Sequence, residues 1–124
     1  MNKTILVPID GSTSSLEALK FAITMAKAYG DEIKVVNIQQ SHKILGETII
    51  SEAETELKNE HIPFSSTIRI GTPPSIEIIS EAKEETVRCI VMGSKGSGNS
   101  SKNLGSVSSA VLKMSPCPVV IVPA

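Results

Sequence analysis

Short, nearly unbroken apolar runs alternate along this chain with longer stretches in which apolar residues recur every three or four positions. The first kind suits strands covered on both faces and the second amphipathic helices, so the alternation predicts β-α-β units around a mainly parallel sheet. Thr4 to Ile9 predicts a first strand. A helix follows from near Ser14, where Ser14 and Glu17 form a capping box; it carries Leu16, Leu19, Ile23 and Ala26 and ends at Gly30. Ile33 to Ile38 predicts a second strand, and Lys43 to Asn59 a helix with Ile49, Ile50, Ala53 and Leu57 turned inward and Gly46 weakening its first turn. Ser65 to Ile70 predicts a third strand. Gly71-Thr72-Pro73-Pro74 then opens a helix with Ile76, Ile79 and Ala82 along one face. Cys89 to Met92 predicts a fourth strand. A last helix carries Val107, Ala110, Val111 and Met114, is capped by Ser106 and stopped by Ser115-Pro116, and leads to a fifth strand, Val119 to Val122.

Between the fourth strand and the last helix lies the chemically most distinctive stretch. Val91-Met92-Gly93-Ser94-Lys95-Gly96 leads through a polar, low-complexity run, Ser97-Gly98-Asn99-Ser100-Ser101, to Gly105-Ser106-Val107-Ser108. Strand, glycine loop and helix start together form a phosphate cradle: glycines let main-chain amides approach an anion, and first-turn amides have no helical partner. The same residues also suit an ordinary flexible loop. In an open parallel sheet ligands bind beyond the carboxyl ends of the strands, which draws attention equally to Pro8-Ile9-Asp10-Gly11-Ser12 after the first strand. Asp10 there would repel phosphate unless it binds sugar hydroxyls, a base edge or a bridging cation, and Asp-Gly is also a common turn pair.

Composition narrows the field. The 124 residues fit one domain, residues 1–124, and an apolar content of 40% supplies its core. A net charge of −1, one Tyr, two Phe and no Trp argue against nucleic acid as a partner. No apolar run approaches the roughly 20 residues of a membrane span, and the start is too short for a signal peptide, so a cytoplasmic protein is expected. Cys89 and Cys117 form no CxxC pair and read as packed thiols. His42 and His61 fall at the edges of the second helix, and the carboxylates from Glu52 to Glu60 read as a solvated helix face. No P-loop, S-G-G-x-D-S motif or nucleophile elbow occurs, which leaves no catalytic residue to name and no metal site built from side chains alone.

Over its whole length the chain resembles the universal stress protein family. The resemblance is carried by Ile5-Leu6-Val7-Pro8-Ile9-Asp10-Gly11-Ser12, Met92-Gly93-Ser94-Lys95-Gly96, Gly105-Ser106-Val107-Ser108 and Ser115-Pro116-Cys117-Pro118-Val119-Val120-Ile121-Val122. It implies a Rossmann-like three-layer α/β sandwich: a five-stranded parallel sheet of order 3-2-1-4-5, with ATP held across strands one and four. It also implies a homodimer paired through Val119, Val120, Ile121 and Val122. Members of the nucleotide-binding branch carry Gly, two residues, Gly, nine residues, then Gly with Ser or Thr. Here Gly93, Gly96 and Gly105 match, but eight residues separate Gly96 from Gly105.

Carried over position by position, the resemblance gives Asp10 the ribose or adenine region, with Pro8 and Ile9 as wall and Ile38 as the main-chain adenine contact. Met92 belongs to the same set. Amides of Gly93, Lys95, Gly96, Gly105, Ser106, Val107 and Ser108 would hold the phosphates, the Ser106 and Ser108 hydroxyls would add donors, and any Mg2+ would arrive with the nucleotide. Three functional classes remain open: an ATP-binding stress or regulatory protein with an unnamed protein partner; a dimeric interaction module without nucleotide, suggested by the shortened loop; and a slow ATPase.

Overall fold

The computed structural model describes residues 2–41, 43–84, 86–96 and 103–123. Its strands are β1 (Thr4–Pro8), β2 (Glu32–Gln39), β3 (Phe64–Ile70), β4 (Val87–Gly93) and β5 (Val119–Val122). Between them run α1 (Thr13–Tyr29), α2 (Ile44–Asn59), α3 (Pro74–Ala82) and α4 (Ser106–Met114). All strand pairs are parallel, in the order β3-β2-β1-β4-β5. The polar run Ser97 to Ser101, together with His42, lies outside the described residues.

Period-two alternation splits the apolar residues of each strand between two cores. Ile5, Val7, Ile33, Val35, Cys89 and Val91 meet α1 and α2 through Leu19, Ile23, Ile50 and Leu57. Leu6, Val36, Ile90 and Met92 meet α3 and α4 through Ile78, Ile79 and Val111. Central β1 is buried throughout, which is why it reads as a continuous apolar run.

Local chemistry departs from the sequence expectation at several helix starts. Ser12, not Ser14, caps α1: its hydroxyl accepts from the Ser15 N–H at 3.1 Å, because Gly11, at φ 85°, has already turned the chain. Glu17 pairs instead with Lys20 at 3.6 Å. Leu16 is exposed, since the buried stripe runs through Ser15, Ala18, Leu19, Ala22, Ile23 and Ala26. In α3 the stripe is Ser75, Ile78, Ile79 and Ala82, which leaves Ile76 outside. Gly105 is the N-cap of α4 with Ser106 its first helical residue, and Met114 is exposed.

Ion pairs fix the periphery. At the N-terminal ends of the strands, Arg88 donates to the fully buried Asp31 carboxylate (Nε to Oδ2, 2.5 Å), Lys3 N–H donates to its Oδ1 at 3.0 Å, and the guanidinium lies 4.1 Å from the Tyr29 ring centre. On the α3 side, Glu81 receives Lys34 at 2.7 Å and Arg69 at 2.8 Å, and Arg69 also holds Glu77 at 2.7 Å. Burial pushes the Glu81 carboxyl up, but the Lys34 and Arg69 hydrogen bonds prevail and hold it below its ordinary value. These bonds pin α3 across β2 and β3.

Candidate functional site

The winding of the sheet reverses between β1 and β4, and a cleft opens there at the carboxyl ends of the strands. Pro8, Ile9, Val36, Ile38 and Met92 form its floor, while Pro74 and Ile78 of α3 and Val107 and Ser108 of α4 form its walls. Asp10, Lys95 and Gly96 line it from the loops after β1 and β4, Ser15 from the first turn of α1 and Gly93 from the end of β4. The structure thus brings ten of the expected residues to one cleft: Pro8, Ile9, Asp10, Ile38, Met92, Gly93, Lys95, Gly96, Val107 and Ser108. Gly105 and Ser106 are not part of its lining; Gly105 is buried at the helix cap and Ser106 is exposed.

Asp10 is shaped by the turn that follows it. Its Oδ1 accepts from Ser12 N–H at 2.9 Å, an Asx turn feeding the cap of α1. Its Oδ2 lies 3.3 Å from where a Cβ on Gly96 would stand, so the carboxylate after β1 touches the glycine loop after β4. A side chain at position 96 would press on that carboxylate and have to shift it by a few tenths of an ångström. Lys95, in the same loop, also lines the cleft.

The glycine loop is tied to the rest of the fold by its own amides. Ser94 N–H donates to Val122 C=O at 3.0 Å, Lys95 N–H to the Ser14 hydroxyl at 3.4 Å, and Gly105 N–H to Ser94 C=O at 2.7 Å. Two amides expected to face phosphate, those of Lys95 and Gly105, therefore have protein acceptors. The Ser108 hydroxyl also has one: it donates to Gly93 C=O at 2.7 Å, binding the start of α4 to the end of β4. The first-turn amides of Ser106, Val107 and Ser108 have no carbonyl a turn earlier in α4, and the positive end of the helix dipole adds to their pull on an anion.

Ile38 offers a different kind of surface. Gln39 C=O accepts from Gly71 N–H and Ile33 N–H donates to Pro63 C=O, so odd-numbered residues of β2 bond toward β3. Glu32 N–H donates to Lys3 C=O and Val36 C=O accepts from Ile9 N–H, so even-numbered residues bond toward β1. By this alternation the N–H and C=O of Ile38 point past the end of β1, over the cleft, as a donor beside an acceptor.

Sequence reasoning passed over Ser15, Val36, Pro74 and Ile78. Val36 was legible, since it shares a strand face with Ile38 two residues on. Pro74 and Ile78 reach the cleft only because α3 packs across β2, and no strand-end motif carries that information. Among the described residues no group of three or more His, Cys, Asp or Glu could hold a metal ion, and no helix is long and apolar enough to cross a membrane.

A doubly wound parallel sheet of order β3-β2-β1-β4-β5 with helices on both faces defines a Rossmann-like α/β domain. The sequence profile of the universal stress protein family matches residues 1–123, and the chain belongs to that family. It is 33% identical over 147 aligned positions to universal stress protein YxiE of Bacillus subtilis, spanning 98% of this chain and 99% of that protein. The solved structure of protein MJ0577 matches with a TM-score of 0.84 at 28% identity, over 100% of this chain and 97% of that one. A universal stress protein solved in complex with cAMP matches with a TM-score of 0.83 at 26% identity, over 98% and 97% of the two chains.

Proposed function

We propose that this protein binds an adenine nucleotide, ATP in the first instance, in the cleft between β1 and β4, and that the bound nucleotide regulates its encounters with other proteins in a stress response. The observation that carries the reading is the meeting of Asp10 with Gly96 beneath the open main-chain edge of Ile38. One apolar slot then offers a base edge, a carboxylate for sugar hydroxyls and helix-start amides for phosphate. The complex of a similar family member with cAMP supports the choice of adenine.

In this reading the base lies against Ile9, Val36 and Met92, and Ile38 meets its polar edge. Asp10 accepts from the ribose hydroxyls, which removes the conflict between a carboxylate and an anionic ligand. Ser106, Val107 and Ser108 amides hold phosphate, with Lys95 as counter-charge. Magnesium, where needed, is carried by the phosphates, since Asp10 is the one carboxylate among the described lining residues. The protein works in the cytoplasm as a homodimer through β5, and hydrolysis is at most slow.

Calorimetric titration with ATP, ADP, AMP and cAMP, with and without magnesium, tests this. Saturable binding at one site per chain is expected. Heat-silent mixtures with all of them, together with unchanged thermal stability, would overturn it. A second reading, a dimeric interaction module without nucleotide, is favoured by the eight residues between Gly96 and Gly105, and that same negative result would select it.

A further inference from the structure

Asn37 is buried to 1% exposure beneath the cleft, on the opposite face of β2 from Ile38. Its amide Nδ2 donates to Ile9 C=O at 2.7 Å, and its Oδ1 accepts from Gln39 Nε2 at 2.8 Å. A carbonyl can only accept, so the orientation of this amide is dictated by its neighbours. Gly46 of α2 closes over it: a Cβ there would lie 2.6 Å from Asn37 Oδ1.

The partner of Asn37 is informative. Along the β1–β2 ladder each even-numbered residue of β2 donates to the carbonyl one residue before its partner on β1, as Glu32 N–H does to Lys3 C=O with Thr4 as partner. Pro8 pairs with Val36, so the next rung would run from Ile38 N–H to Ile9 C=O. The Asn37 amide takes that carbonyl instead. We propose that Asn37 is a positioning residue that ends the β1–β2 ladder and thereby keeps the Ile38 main-chain edge open to the ligand's base. It rests on the adenine-nucleotide reading, but Asn37 itself lies outside the cleft. Without its amide, Ile9 C=O would recruit Ile38 N–H, and Asp10, the next residue, would move with it.

Two measurements separate this proposal from the reading beneath it. In nucleotide-free protein, amide hydrogen exchange followed by NMR should find Ile38 N–H exchanging freely, and Asn37→Leu should slow it roughly tenfold or more as the ladder extends. In titrations, Asn37→Leu should weaken ATP binding roughly tenfold while changing ITP binding less than about twofold, because hypoxanthine replaces the amino donor of adenine by a carbonyl and so gains little from the Ile38 edge. A general loss of stability would lower both affinities alike. Asn37→Asp guards against a leucine variant that does not fold. Its carboxylate cannot donate, and ATP affinity relative to the parent at the same pH should recover as acidification restores an O–H donor. Unchanged Ile38 exchange with an unchanged ATP-to-ITP ratio in Asn37→Leu would overturn the proposal, as would parent-like ATP binding by Asn37→Asp at neutral pH. If the parent binds neither nucleotide, the functional reading fails and the ligand half of the proposal with it, while the exchange experiment still decides the ladder.

Discussion

Ser14 of α1 stands where any side chain on Gly93 would have to go: a Cβ built on Gly93 falls 2.2 Å from the Ser14 hydroxyl and 2.7 Å from its main-chain carbon. The hydroxyl itself donates to Val122 C=O at 3.3 Å and accepts from Lys95 N–H at 3.4 Å. One serine therefore joins the start of α1, the glycine loop and the end of the edge strand.

Gly93→Ala should consequently destabilise the fold. Rotation relieves the clash with the hydroxyl, but those with the Ser14 main-chain carbon and with its Cβ at 2.8 Å require α1 to move, and overpacking of this kind costs about 1–3 kcal/mol. Urea denaturation of the variant should show a lower midpoint at unchanged slope. An unaltered midpoint would mean that α1 yields freely.

Asp10→Ala should weaken ATP binding by about 1–3 kcal/mol, as expected for loss of a charged hydrogen-bond acceptor. The Asx turn to Ser12 is lost as well, so thermal melting should be measured beside calorimetry. A drop in melting temperature without a drop in affinity would assign Asp10 to the turn alone.

Gly105→Val separates cradle from scaffold. Gly105 adopts φ −64° and ψ 159°, a conformation open to valine, so backbone strain is not expected. A branched side chain beside the first turn of α4 should obstruct phosphate and abolish ATP binding while circular dichroism stays native. Retained affinity in the folded variant would move the phosphate elsewhere.

The Asp31 carboxyl is held below its ordinary value of 3.8 chiefly by the Arg88 hydrogen bond, against the opposing pull of burial. A carboxyl lowered by folding contributes stability that is full above its unfolded value and is lost as pH falls through its folded value. The parent should therefore lose stability below about pH 4, and Asp31→Asn should flatten that part of the profile. Arg88→Ala leaves the carboxylate buried without its guanidinium and should lower the urea midpoint at neutral pH. A parent profile as flat as that of Asp31→Asn would show the pair to be energetically idle.

β5 is an edge strand of half-buried Val119, Val120, Ile121 and Val122, bracketed by Pro118 and Pro123. Such an edge invites pairing with a second copy, and the prolines limit its length. Sedimentation should show a dimer, and Val120→Lys with Val122→Lys should make it a monomer. A monomeric parent, or an equally dimeric variant, would exclude this interface.

Apolar spacing alone determined the alternation of strands and helices, with β5 matching its expected bounds and β1 ending one residue early at Pro8. It could do so because strand and helix periods are properties of neighbouring residues. Residue chemistry likewise marked Asp10 and the glycines as candidates, since a carboxylate and side-chain-free positions at strand ends are visible without coordinates. Strand order was legible only through family resemblance, because spacing does not say which strand lies beside which. The tertiary structure decided which groups were already engaged. Ser12 rather than Ser14 caps α1 because Gly11 turns the chain and Ser14 faces Val122; the Ser108 hydroxyl is held by Gly93 C=O. Pro74 and Ile78 enter the cleft because the Lys34, Arg69, Glu77 and Glu81 ion pairs lay α3 across β2. Asn37, an isolated polar residue in an apolar strand, gained meaning only when Ile9 C=O was found at the end of its amide. Apart from the local Ser12 cap, each of these contacts joins residues from different elements of the chain, and a hydrogen bond between separate elements leaves no periodic trace in the sequence that forms it.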